Sequence, residues 1–195
     1  MKIKDVKFLK SVFIDDSKVF FDEKKEIVFL WRSNVWKSSI MNALLEKKDL
    51  VKTSSKPWKT KTANLFLVNN KYYFTDLPGY WFAKLWKEVL EKLDALISWY
   101  LEARKHYIKK VVLLIDSKIW LQPKDVEMFN YIQELWLPVI IVLSKIDRLS
   151  KNEIVKAKNY VEKNLFGQKI LSVSSHKKIW IKELFRELSN SLEEK

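Results

Sequence analysis

Short runs of consecutive apolar residues alternate along this chain with longer stretches in which apolar residues recur every three or four positions. The first clear strand is Glu26-Ile-Val-Phe-Leu30. Trp31 to Ser38 lead from it into a helical stretch, Ser39 to Leu45, with Ile40, Met41, Leu44 and Leu45 on one face. Glu46 to Thr62 is polar and reads as an exposed loop. Leu65 to Val68 and Tyr72 to Thr75 flank Asn69-Asn70, a two-residue hairpin signal. A long amphipathic helix is predicted over about Lys87 to Lys105. Val111 to Ile115 and Val139 to Leu143 are apolar without alternation, the pattern of strands covered on both faces. Helices near Lys124–Leu135, Asn152–Asn164 and Ile181–Leu192 separate these strands from a last one, Lys169–Val173. Strand and helix alternate throughout, which predicts a doubly wound α/β fold. In such folds ligands bind at the carboxyl ends of the strands.

Composition narrows the chemistry. With 195 residues, 48% of them hydrophobic, the chain can bury a full core as one domain. The absence of cysteine excludes disulfides, thiolate zinc sites and cysteine nucleophiles. Two histidines far apart, His106 and His176, argue against a His-rich metal site. A net charge of +13 favours an acidic partner such as RNA, a nucleotide or anionic lipid. No apolar run reaches the roughly 18 residues of a membrane span, and the start lacks a signal-peptide core, so a soluble cytoplasmic protein is expected. One figure is abnormal: glycine occurs 2 times and tryptophan 9 times, whereas ordinary usage of about 7% would give roughly 14 glycines.

Candidate chemistry stands at each strand end. After the first strand comes Trp31-Arg32-Ser33-Asn34-Val35-Trp36-Lys37-Ser38. It has the spacing, the Lys-Ser and the strand–helix setting of a phosphate-binding loop, with tryptophan in place of both glycines. After the hairpin comes Asp76-Leu77-Pro78-Gly79, an Asp-x-x-Gly in which the aspartate can hold Mg²⁺ through water and the glycine amide can meet a γ-phosphate. After Val139–Leu143 comes Ser144-Lys145-Ile146-Asp147, close to the Asn/Thr-Lys-x-Asp with which GTPases read guanine. Ser174-Ser175-His176 follows the last strand. Each signal alone fits an ordinary turn; four in this order, each at a strand end, are specific.

Arg32-Ser33-Asn34-Val35 with Lys37-Ser38-Ser39, Ser55-Lys56-Pro57 with Lys59-Thr60, and Asp76-Leu77-Pro78-Gly79-Tyr80 with Phe82-Ala83 resemble the EngB-type (YihA/YsxC) GTPases over about Lys7 to Leu192. The resemblance implies a Ras-like G domain of the P-loop NTPase class, with a mostly parallel six-stranded sheet and helices on both faces. One G domain would span 1–195, with 1–24 as an N-terminal strand or extension and 25–192 as the core. It implies GTP and GDP binding with Mg²⁺, hydrolysis of GTP, a role in assembling the large ribosomal subunit and, in bacteria, a link to cell division and septation.

By position, Arg32 to Val35 and Trp36 would wrap the phosphates, with Ser39 behind them. Lys37 would bridge the β- and γ-phosphates. Ser38, the switch residue Thr60 and Asp76 would hold Mg²⁺. Gly79 belongs to the second switch, and Lys37, Thr60 and Gly79 are the residues expected to act on the γ-phosphate. Ser144, Lys145 and Asp147 would read guanine, with Ser174, Ser175 and His176 behind the base. Asn34 matches the asparagine of potassium-assisted relatives. Tyr80 stands where Ras-like proteins place a water-orienting glutamine, so a slow intrinsic rate helped by K⁺ or a ribosomal partner is expected.

Trp31, Trp36, Trp58 and Trp81 fall where the family has glycine, and Trp120, Trp136 and Trp180 where turn grammar expects it. An indole at position 36 would fill or displace the phosphate cradle, so weak or no GTP binding is expected of this chain. Two origins stay open, replacement of real glycines or glycine positions rendered as tryptophan. Two other functions also stay open. One is a basic, non-enzymatic RNA- or ribosome-binding module shaped like a G domain. The other is a different P-loop phosphoryl-transfer protein, against which Lys145 and Asp147 argue. The lysines at 47–48, 56–61, 105–110 and 177–178 are candidates for rRNA contact, with no DNA partner and a monomeric chain expected. His106 is expected near a helix C-terminus, and Glu88, Glu91 and Asp94 in surface ion pairs.

Overall fold

The structure is a computed structural model that describes residues 1–14, 22–32, 37–47, 50, 62–80 and 87–194. Its elements, in chain order, are β1 (Val6–Val12), β2 (Glu26–Trp31), α1 (Lys37–Leu44), β3 (Ala63–Val68), β4 (Tyr72–Asp76), α2 (Lys87–Arg104), β5 (Ile108–Asp116), α3 (Pro123–Glu134), β6 (Val139–Ser144), α4 (Lys151–Asn164), β7 (Lys169–Ser172) and α5 (Ile181–Glu193). The sheet has seven strands in the order β1-β3-β4-β2-β5-β6-β7. β4, β2, β5, β6 and β7 run parallel to one another, while β3 is antiparallel to both β1 and β4.

The uninterrupted apolar runs behave as their pattern requires. Along β5, Val111, Leu113 and Ile115 join the core on one face of the sheet, with Ile97 and Leu101 of α2, Phe129 and Ile132 of α3, and Ala157 and Val161 of α4. Val112 and Leu114 join the core on the other, with Ile40, Met41 and Leu44 of α1 and Leu184, Leu188 and Leu192 of α5. Because side chains alternate along a strand, a strand apolar at every position needs a helical layer on each side.

The sheet has one strand more than expected. The addition is β1, whose apolar positions do not keep a strict two-residue period. Val6 packs in the α1/α5 core and Val12 in the opposite one, although in an unbroken strand their even spacing would put both on one face. The register explains this: Phe8 pairs with Phe66 and Lys10 with Leu65, leaving Leu9 as a bulge that exchanges the two faces.

At the end of the sheet away from the predicted site, a buried ion pair ties α2 to the central strands. Glu26 and Arg104 are 0% and 1% exposed. Arg104 Nε donates to Glu26 Oε2 at 2.8 Å, and its two other nitrogens donate to the carbonyls of Asp22 at 2.8 Å and Lys24 at 3.1 Å. The Tyr100 hydroxyl donates to Glu26 Oε1 at 2.7 Å, and the Thr75 hydroxyl donates to the same oxygen. Such a pair adds little over an apolar replacement, but removing one partner strands a charge. Arg104→Met is therefore expected to cost about 3–5 kcal/mol in urea unfolding, and Glu26→Leu on that background to recover part of it; a cost below about 1 kcal/mol for Arg104→Met would contradict this account.

Candidate functional site

The parallel strands all end on one edge of the sheet. β2 is the switch point: α1 leaves it on one face toward β3 and β4, whereas α2 follows β4 on the other face toward β5. The crevice outside this edge is where an open α/β sheet takes a ligand.

At β2, Trp31 is 5% exposed and packs in the α1/α5 core. Arg32 is also buried, and its side chain turns toward α3, with Nε 3.4 Å from Asp125 Oδ1. Ser39 is half-buried in the first turn of α1. Ser33, Asn34, Val35, Trp36 and Thr60 lie outside the described residues, as do the side chains of Lys37 and Ser38 and most of the expected 46–62 loop.

Beside β2, Asp76 closes β4 opposite Phe29 and is fully buried. The chain then hugs β2: the Leu77 amide donates to the Phe29 carbonyl at 3.2 Å and the Tyr80 amide to the Trp31 carbonyl at 3.0 Å. These bonds hold Gly79, itself buried, next to the end of β2. Tyr80 is not where a water-orienting residue would need it. Its ring is 2% exposed and its hydroxyl donates to Asp125 Oδ1 at 2.8 Å. Burial, then the Asp125 charge, pushes the Tyr80 hydroxyl pKa well above its ordinary value. Burial also raises that of the Asp125 carboxyl, against the hydrogen bonds it accepts from the Gln122 amide and from Tyr80.

On the other side, backbone and side chains lace β5 to β6. Ser144 Oγ donates to the Ile115 carbonyl at 3.0 Å, and the Ser117 hydroxyl donates to the Ser144 carbonyl. Lys145 adopts φ 62°, and its ammonium lies 2.6 Å from Asp116 Oδ2. The 3₁₀ turn Ile146–Arg148 then presents Asp147. Ser174 Oγ donates to Asp147 Oδ1 at 2.5 Å and accepts the Lys177 amide at 3.1 Å. The Ser174 hydroxyl holds the Asp147 carboxyl below its ordinary pKa.

A cavity of about 200 Å³ opens here, lined by Ser144, Lys145, Asp147, Arg148, Ser175 and His176 and closed by Ile40 of α1. Two strand-end segments remote in sequence thus share one pocket, one turn from the start of α1. Ser174 stands behind Asp147 rather than in the wall. Sequence reasoning missed Asp116 and Asp125. The first had a signal, an acid closing an apolar run at a carboxyl end; the second had none, because an Asp at the third position of a helix usually serves only as a cap. His106 is exposed just past α2, and the expected surface pairing of Glu91 appears with Lys87 at 3.9 Å. Among the described residues no group of three or more His, Cys, Asp or Glu could hold a metal, and no helix is long and apolar enough to cross a membrane.

Residues 26–145 match a family described as "50S ribosome-binding GTPase". The chain is 38% identical over 178 residues to a probable GTP-binding protein EngB of Lactobacillus helveticus, covering 89% of this chain and 88% of that one. The chain belongs to the EngB family of GTP-binding proteins. An EngB of Clostridium kluyveri is 36% identical over 196 residues, 99% of this chain and 98% of the relative. The fold agrees: a crystal structure of a probable EngB superposes with a TM-score of 0.74 at 24% identity, over 87% of this chain and 100% of that one. Era bound to GDP and aluminium fluoride, from Aquifex aeolicus, gives 0.70 at 23% identity over 87% of this chain and 57% of its own. The fold is that of a Ras-like G domain of the P-loop class.

The Asp147–Ser174 contact has a pH signature. A carboxyl whose folded pKa is depressed adds stability above its unfolded pKa and loses that stability as pH falls through the folded value. Ser174→Ala is expected to move the Asp147 pKa up toward the ordinary aspartate range in an NMR titration; an unmoved pKa would show that the hydroxyl is a bystander.

Proposed function

We propose that this EngB protein binds GTP and GDP with Mg²⁺ at the carboxyl edge of the sheet and hydrolyses GTP as a switch in large ribosomal subunit assembly, with a link to cell division and septation. The observation that carries the guanine reading is the cavity where Lys145, Asp147, Ser175 and His176 meet, with Asp147 fixed from behind by Ser174. A carboxylate offers two acceptors to the N1–H and 2-amino donors of guanine, and adenine lacks that donor pair. Asp116 secures the Lys145 ammonium, which leaves the four-carbon stem to cover the base.

Lys37 and the amides of Arg32 to Trp36 are assigned to the phosphates, and Ser38, Thr60 and Asp76 to Mg²⁺. The donor set suits that ion: one buried carboxylate and two hydroxyls leave the other positions to water and phosphate oxygens. Bound Mg²⁺ would neutralise charge on the β- and γ-phosphates. Gly79 is assigned to the γ-phosphate through its amide. With the Tyr80 hydroxyl engaged by Asp125, water must be oriented by something other than that side chain, which supports K⁺ at Asn34 or a ribosomal partner. The family description and the net charge of +13 support such a partner, at lysine-rich surfaces that meet rRNA in the cytoplasm.

The tryptophan at position 36 favours a second reading for the chain with its present residues. With an indole in the cradle, the protein would act as a basic ribosome-binding module without nucleotide chemistry. Fluorescent-nucleotide titration separates the two. The Trp31→Gly/Trp36→Gly variant is expected to prefer GDP over ADP by at least roughly 100-fold, a preference that Asp147→Asn removes, while the parent chain binds poorly. Equal affinity for GDP and ADP would overturn the guanine reading. Hydrolysis by the same variant is expected to be faster in K⁺ than in Na⁺; equal rates would sink the potassium role.

A further inference from the structure

We propose that the polypeptide made in its cell carries glycine, not tryptophan, at positions 31, 36, 58, 81, 120, 136 and 180, through UGA codons decoded as glycine. At 31, 36, 58 and 81 this rests on the GTPase reading. At 120, 136 and 180 it rests on backbone geometry alone.

Trp136 has φ 58° immediately after α3. Its amide donates to the Gln133 carbonyl at 2.9 Å, and the next amide, of Leu137, reaches back to Ile132 at 3.2 Å. That pair of bonds is a Schellman ending, whose left-handed position is normally glycine. The indole there is 93% exposed and so gains almost no packing for the strain. Trp180 has φ 58° at the N-cap of α5, where it makes no side-chain capping bond. Cap positions take Ser, Thr, Asp, Asn or Gly. Trp120 has φ 66° in the turn after β5, where its amide donates to the Asp116 carbonyl at 3.0 Å. A bulky residue at positive φ is an outlier, and here three of the five described tryptophans adopt it.

Trp99 is the contrast. It lies inside α2, packs against the core and meets the Tyr100 ring edge-on at 6.4 Å. A loss of structural constraint would scatter tryptophan at random; instead it sits at left-handed turns and at phosphate-loop glycines. Restoring the seven moves glycine from 2 toward ordinary usage and leaves tryptophan only at Trp86 and Trp99. A UGA codon at each of the seven would account for the exchange, because translation systems read it as stop, as tryptophan or as glycine; Trp86 and Trp99 would then be encoded by UGG.

Peptide mass spectrometry of the protein isolated from its own cells tests this. The expected result is glycine at all seven positions and tryptophan at 86 and 99. Tryptophan at 120, 136 or 180 would overturn the proposal. A recombinant pair gives an independent readout. Trp120→Gly, Trp136→Gly and Trp180→Gly are each expected to raise Tm by about 2–4 °C, whereas Trp99→Gly lowers it; a fall in Tm for the first three would count against the proposal. If glycine is found but the seven-glycine protein ignores guanine nucleotides, the GTPase reading fails and the residue assignment stands.

Discussion

The central strands must be kept from water on both faces at once. β5 from Val111 to Ile115 and β6 from Val139 to Leu143 carry apolar side chains at every position, so neither face of the sheet can be left to solvent. Two helical layers are the solution, and crossing from one strand to the next through a helix forces the strands parallel. Parallel strands end together. Polar groups far apart in the chain, at Asp76, Asp116, Asp147 and Ser175, therefore reach one edge as a consequence of the strand order. The Glu26–Arg104 pair fixes the opposite end, where α2 must return to the sheet before β5 begins.

Around the base-sized cavity, three of the polar side chains are oriented by bonds within the protein. Asp147 is held by Ser174, Lys145 by Asp116, and Ser144 by the carbonyl of the neighbouring strand. The rigid sheet sets the spacing, and these bonds set the rotamers, so little ordering remains for a ligand to impose. On the other side of the crevice, Arg32, Tyr80 and Asp125 form a buried contact that links the end of β2, the segment after β4, and α3. A residue in the position usually given to water handling has become part of the scaffold.

Much of this was readable before any coordinates. The apolar runs of β5 and β6 announced both helical layers, and the Asn69-Asn70 pair announced the β3–β4 hairpin. Other features carried no pattern. β1 falls in the stretch expected as an N-terminal strand or extension, but its place as a seventh strand of the sheet was hidden because Leu9 breaks its two-residue period. Asp125 reads as a capping residue, which it is, accepting the Gln122 amide at 2.8 Å; only tertiary packing places Tyr80 and Arg32 against its other oxygen. Arg104 and Glu26 look like surface charges in sequence, since ionised side chains are seldom buried unless paired across the fold. The backbone conformation at Trp136 and Trp180 was legible from turn grammar, even though the residues themselves disagree with it.

The Leu9 bulge also bears on how copies of the protein meet. β1 is an outer strand of the sheet, with Phe8 half exposed, and among the described residues no further strand pairs with it. A straight rim of that kind would template pairing with an identical chain. The kink at Leu9 and the lysines at 7 and 10 spoil the flatness and charge balance that such stacking needs. The same irregularity that lets one strand serve both cores thus guards the molecule against growing into a ribbon.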